Sequence, residues 1–215
     1  MLRRFDLIIF DWDGTLMDSI DWISRCLQNA GLDYNCQVPE TQATKNVIGL
    51  SAIKAISQLY PDADSQLQSQ LLNRYREYYL SRQLNPDDLF PGVKEMLLKL
   101  KADGYLLAVA TGKTRAGLQD ALTATQTEDL FCITRCADET LSKPDPKMLL
   151  DIIEQTQISK ERCLMVGDSI FDLQMAQNAQ ISAIAVTCGA QPAELLKPLE
   201  PLLCLDQPTE LLNFI

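Results

Sequence analysis

Short, nearly unbroken apolar runs punctuate the chain, and between them apolar residues recur at the spacing of a helix. The runs at residues 5–10, 105–110, 163–166 and 181–186 lack the in–out alternation of a half-exposed strand. They read as strands buried on both faces, as in a parallel sheet. Weaker strand candidates lie at 131–134 and 202–205. Helical spacing predicts a helix over about 17–30, with Ile20, Ile23 and Leu27 on one face and Gly31 as its stop. It also predicts helices over 93–100 and 114–124, one opening at Asp145-Pro146, and one carrying Leu173 and Ala176. Strand and helix alternate through this second half, which predicts a parallel sheet built by right-handed crossovers with helices on both faces.

Residues 32–88 break that rhythm. No strand-like run occurs there. Pro39-Glu40 opens one helix candidate and residues 51–60 form another, ending at Pro61. Leu67, Leu71, Tyr75 and Tyr78 recur along a longer helix to about residue 81. Asn85-Pro86-Asp87-Asp88 and Pro91-Gly92 carry boundary chemistry. The pattern therefore predicts an α/β core of residues 1–16 and 86–215 interrupted by an all-helical insert at 17–85.

Composition narrows the function. A formal net charge of -10 over 215 residues argues against nucleic acid or an anionic membrane surface as a partner. It also requires local cations or a metal at any phosphate site. The chain has no histidine, which removes Ser-His-Asp and Cys-His catalysis and leaves proton transfer to Asp, Glu, Lys, Tyr, Cys or water. The seven cysteines are scattered and odd in number, as expected for reduced thiols. Cys132 and Cys136 lack the second ligand pair of a zinc site. No stretch approaches the roughly 20 apolar residues of a membrane span. The charged start Met1-Leu2-Arg3-Arg4 leads into a strand ending in carboxylates rather than a cleavable signal. A cytoplasmic protein, monomer or homodimer, is the expectation.

Candidate chemistry gathers where strands give way to loops, the edge at which open α/β sheets bind ligands. Asp11 and Asp13 stand two residues apart at the end of the first run. Two such carboxylates repel, so a cation lies between them or one holds a proton. Thr111 and Gly112 follow the run at 105–110 and can offer a hydroxyl and backbone N–H groups to phosphate oxygens. Gly112-Lys113-Thr114 resembles the end of a P-loop, but Ala108 stands where that motif needs glycine. Lys143 is held between Ser142 and two prolines, at a helix start. Asp168 follows the third main run, at 163–166, and Asp172 lies one helical turn beyond it. Hard carboxylate oxygens suit Mg²⁺, which also bridges to phosphate.

Together Asp11-Trp12-Asp13-Gly14-Thr15, Thr111, Lys143 and Gly167-Asp168 with Asp172 resemble the four motifs of the haloacid dehalogenase-like hydrolase superfamily. Their order resembles its helical-cap subgroup, which includes phosphoglycolate phosphatase and beta-phosphoglucomutase. The resemblance implies an α/β fold: a Rossmann-like three-layer core with a mostly parallel sheet and an inserted all-helical cap. It implies a Mg²⁺-dependent phosphatase that hydrolyses a small-molecule phosphate ester, with phosphoglycolate the leading candidate, through an aspartyl-phosphate. Asp11 would be the nucleophile and Asp13 the general acid/base, while Thr111, Gly112 and Lys143 would hold the phosphoryl group. Asp11, the backbone carbonyl of Asp13, Asp168 and Asp172 would hold or support Mg²⁺. Asn46-Val47-Ile48-Gly49-Leu50 resembles the family's cap loop, and Asn46 with Lys45 just before it would contact substrate, with Gly49, Arg74 and Arg76 as further candidates. Asp13 argues against dehalogenation, because a halide leaves unprotonated. A beta-phosphoglucomutase-like mutase is the enzyme alternative, and a non-catalytic interaction module the alternative of another class. Two departures are visible. Trp12 is bulky and is expected to pack inward, and Thr-Gly-Lys stands where phosphoglycolate phosphatases often have Thr-Asn-Lys.

Overall fold

The computed structural model describes residues 4–215; the first three residues of the charged start lie outside the described residues. Strand β1 (Leu7–Phe10) is followed by four cap helices: α1 (Ile20–Asp33), α2 (Thr41–Lys45), α3 (Ala52–Leu59) and α4 (Ser65–Leu80). Then come α5 (Val93–Ala102), β2 (Leu106–Thr111), α6 (Arg115–Thr125), β3 (Ile133–Cys136) and α7 (Lys147–Thr156). The chain closes with β4 (Cys163–Gly167), α8 (Ile170–Ala179), β5 (Ser182–Val186), the short α9 (Ala193–Leu196) and β6 (Cys204–Leu205).

All six strands pair in parallel, in the order β3-β2-β1-β4-β5-β6. The unbroken apolar runs have a direct reason. Ile8 and Phe10 point into one core, which they share with Val93, Leu97 and Leu100 of α5 and with Leu118 and Leu122 of α6. Leu7 and Ile9 point into the other, against Met148, Leu149 and Ile152 of α7 and Met175 and Ala176 of α8. A strand covered on both faces has no polar side to alternate with. This is the three-layer core with its inserted helical cap.

The crossovers run one way from β1 to β3, then return to lie on the other side of β1 from β4 onward. The sheet thus reverses direction beside β1, and a crevice opens outside its C-terminal end. Asp11 stands at that point, its N–H bonded to the carbonyl of Val166 at 2.9 Å.

The cap has its own apolar cluster, in which Ile23 and Leu27 of α1 meet Ile56 of α3 and Leu71 of α4. Two expectations need correction here. Gly31 does not end α1. The helix runs on to Asp33 because Gly31 lies where Tyr60 crosses, and a Cβ would strike the Tyr60 ring. The turn falls instead at Asn35, with φ of 54°. The buried face of α4 continues through Tyr75 to Tyr79, whereas Tyr78 faces outward and donates to Asp33. Among the described residues no helix is long and apolar enough to cross a membrane.

Candidate active site

Between Asp11 and Asp13, Trp12 turns inward as expected. It is fully buried, its Nε1 donates to Met17 Sδ at 3.2 Å, and its ring meets Phe131 edge-on. Asp168 sits just past β4 and Asp172 in the first turn of α8. One carboxylate oxygen from each of Asp11, Asp168 and Asp172 lies within 4.8 Å of the others. All three residues are at most 1% exposed, which is costly for carboxylates without compensation.

Lys143 supplies part of that compensation. Its Nζ lies 2.6 Å from Asp172 Oδ1 and 2.7 Å from Asp11 Oδ1. Asp172 Oδ2 accepts from the N–H and Oγ of Ser169 at 3.1 and 2.6 Å, so both of its oxygens are occupied. Asp168 accepts from Thr15 Oγ1 at 3.0 Å and from the Ala190 N–H at 2.6 Å. The backbone crowds it so closely that a Cβ at Gly14 or Gly189 would collide with its Oδ2, and Gly14 has φ of +78°.

Burial dominates the ionisation of the trio. It pushes Asp11 well above the usual carboxylate range, opposed by Lys143 and reinforced by Asp172 and Asp168. It lifts Asp168 to about 7, with Asp172 adding to the rise. Burial pulls Lys143 down, but Asp11 and Asp172 outweigh it and hold the ammonium above its ordinary value. Lys143 Nζ meets Asp11 Oδ1 as an ion pair rather than a well-directed hydrogen bond, and among the described residues no other donor reaches that buried oxygen. Three buried hard oxygens gathered around a single ammonium leave negative charge that a divalent cation would balance.

Asp13 takes no part in that trio. Ser19 Oγ donates to it at 2.7 Å, and Lys113 Nζ spans both of its oxygens at 3.1 Å. Lys113 also bonds the hydroxyl of Tyr79 and lies 4.5 Å from the centre of that ring. Asp13 and Tyr79 hold its ammonium above the ordinary lysine value against the opposing pull of burial. Sequence reasoning missed this role for Lys113, having weighed the residue only as the end of a P-loop. Its place directly after Thr111-Gly112 at a strand mouth was the available signal. Thr111 is buried, and its Oγ1 accepts from the Lys113 N–H at 3.2 Å.

A cavity of about 450 Å³ opens over Asp11, Asp13, Thr111, Gly112 and Lys113 and is roofed by the cap. The cap residues expected to face it divide. Gly49 and Arg76 line it. Lys45 does not; it pairs with Asp21 at 3.0 Å and ties α2 to α1. Asn46 is exposed and accepts from Gln42 at 2.9 Å. Arg74 is held by Asp33 and Glu77. The loop that faces the site starts at Val47 rather than Asn46, because Val47 and Ile48 turn inward and leave Asn46 in water. The loop is pinned to the core, with the Ser51 N–H donating to Ser142 Oγ at 3.0 Å. All seven cysteines are free thiols.

A profile of the haloacid dehalogenase-like hydrolase family matches residues 8–186. The chain is 34% identical over 212 residues to the probable phosphatase IndB of Dickeya dadantii, covering 96% of this chain and 92% of that one. It is 29% identical to the phosphoglycolate phosphatase of Vibrio cholerae, covering 93% and 92%. The crystal structure of a candidate haloacid dehalogenase-like hydrolase from Bacteroides fragilis superposes with a TM-score of 0.88, at 25% identity over 96% of this chain and 99% of that one.

Proposed function

Because the chain belongs to the haloacid dehalogenase-like hydrolase family, we propose that it is a Mg²⁺-dependent phosphatase acting on a small phosphomonoester through an aspartyl-phosphate. One observation carries the reading: three buried carboxylates, Asp11, Asp168 and Asp172, bring oxygens within 4.8 Å of one another with Lys143 as the ammonium between two of them. Asp11, Asp168 and Asp172 would hold Mg²⁺, which when bound screens the charge of the phosphate and of the attacking carboxylate.

The chain's own residues then divide the work. Asp11 attacks phosphorus and releases the alcohol, splitting one difficult displacement into two. Thr111 and the Gly112 N–H hold the equatorial oxygens. Lys143 offsets negative charge at the point of attack, inside a site that excludes water. Asp13, held by Ser19 and Lys113, protonates the departing oxygen and later takes a proton from the water that cleaves the acyl phosphate. In this reading residues 1–16 and 86–215 carry the chemistry, and residues 17–85 close over it and select the ester. The likeness to the Vibrio cholerae phosphoglycolate phosphatase makes phosphoglycolate one ester to be tested.

The test is phosphate release with and without Mg²⁺ by the protein and by Asp11→Asn. The variant keeps the shape of the site but loses the nucleophile, and activity is expected to fall by at least about 10³-fold. Equal turnover by the two proteins would remove Asp11 from the mechanism.

A further inference from the structure

The phosphoryl site is only the floor of the cavity. The cap side of the lining is largely apolar, with Ile23 and Leu27 from α1, Val47 and Ile48 from the cap loop, and Tyr75 and Tyr79 from α4, while Thr114, Asp120 and Asp138 line the core side. The two tyrosine rings stand side by side, with centroids 6.0 Å apart and planes tilted by 36°. Two large aliphatic side chains at the lining stay in water: Ile53 is 61% exposed and Leu80 is 65% exposed. Apolar surface left in solvent around a cavity is surface that a ligand can cover. The volume of about 450 Å³ belongs with sites that enclose ligands of drug size, about 300–1,000 Å³.

The cations point the same way. A two-carbon acid ester needs a free cation for its carboxylate close to the phosphate. Lys143 is committed to Asp11 and Asp172, and Lys113 to Asp13 and Tyr79. Arg76 is the other basic side chain lining the cavity, and it is an exposed residue. A carboxylate one carbon from the ester oxygen would find no uncommitted lysine in the lining and would depend on Arg76 for a charge partner.

Resting on the phosphatase reading above, we propose that the alcohol part of the substrate is a ring-bearing, largely uncharged group of nucleoside size rather than a two-carbon acid. Its ring lies against Tyr75 and Tyr79, where an aromatic face stacks or meets an edge. Ile53 and Leu80 cover its outer edge, and Arg76 meets a polar group at its far end. Shape and apolar area then select the ester, and the floor of the site supplies the chemistry.

The experiment measures Mg²⁺-dependent phosphate release from acetyl phosphate, 2-phosphoglycolate, uridine 5′-monophosphate and pyridoxal 5′-phosphate. At least one ring ester is expected to exceed 2-phosphoglycolate by about tenfold or more in kcat/KM. Ile53→Ser, at an exposed position that the fold does not need, and Tyr75→Ala are each expected to raise KM for that ester by about three- to tenfold, with the loss in KM rather than kcat. Turnover of acetyl phosphate with 2-phosphoglycolate equal to or better than both ring esters would overturn the proposal and leave the phosphatase reading standing. Release from none of the four would overturn the phosphatase reading, and this proposal with it.

Discussion

Lys143 is a fully buried ammonium held between two carboxylates, and its removal separates its two contributions. Lys143→Ala leaves Asp11, Asp168 and Asp172 facing one another without a cation. Breaking a buried pair in this way costs about 3–5 kcal/mol, which should lower the urea midpoint of the metal-free protein. The same variant should lose about 10²–10³-fold in kcat through lost charge stabilisation, measured as phosphate release at saturating Mg²⁺. Lys143→Arg should not restore that activity, because a planar guanidinium does not fit a space shaped for a compact ammonium. Wild-type turnover by Lys143→Ala would show that the lysine is only a structural counter-charge. Asp11 and Asp168 stood out because charge at the end of an apolar run needs a reason, and Lys143 because prolines hold it at a helix start. Lys113 did not, since its partners Asp13 and Tyr79 lie 100 and 34 positions away in the chain.

Among the elements, the cap loop and the β2 mouth meet most tightly at Gly112. A Cβ there would stand 2.5 Å from the Leu50 carbonyl oxygen and 2.8 Å from that of Gly49. Both obstacles are backbone, so the loop itself must move. Gly112→Ala is expected to disfavour the seated loop by about 1–3 kcal/mol, seen as a raised KM. An unchanged KM would show that the loop yields without cost. The two connections between cap and core also lie side by side: the Asp18 N–H donates to the Asp88 carbonyl at 2.8 Å, and the Phe90 N–H to that of Leu16 at 3.0 Å. This pairing explains why the first helix starts at Ile20 rather than near residue 17. Residues 12–18 are spent on a turn and a bridge that long-range partners define. Gly31 failed as a helix stop for a related reason, since its small size serves Tyr60 on another helix.

At the scale of the whole molecule, the acidic trio couples cation binding to folding and to pH. A cation bound only by the native state adds about 2.7 kcal/mol at a hundred times its Kd, so Mg²⁺ should raise Tm, and Asp168→Asn should abolish the rise. Asp168 titrates near 7 in the metal-free fold, against an ordinary value of 3.8. The native state therefore holds a proton on Asp168 that the unfolded chain has released. Its contribution to metal-free stability is present below the unfolded value and is lost as pH rises from about 4 through 7. Mg²⁺ must displace that proton, so its stabilising effect should be largest above pH 7 and shrink below it. A Tm shift independent of pH across that window, measured by thermal denaturation, would place the cation elsewhere. The sequence by itself determined the layers, the helical insert and the chemical character of the floor. Periodicity is local, and a carboxylate at a strand end is conspicuous wherever the strand finally lies. Only the tertiary structure decided which cap residues face the cavity over Asp11 and Asp13, and which of the lining cations are already paired. Those answers depend on how α1, α4 and the loop from Val47 pack over β2, through contacts between residues far apart in the chain.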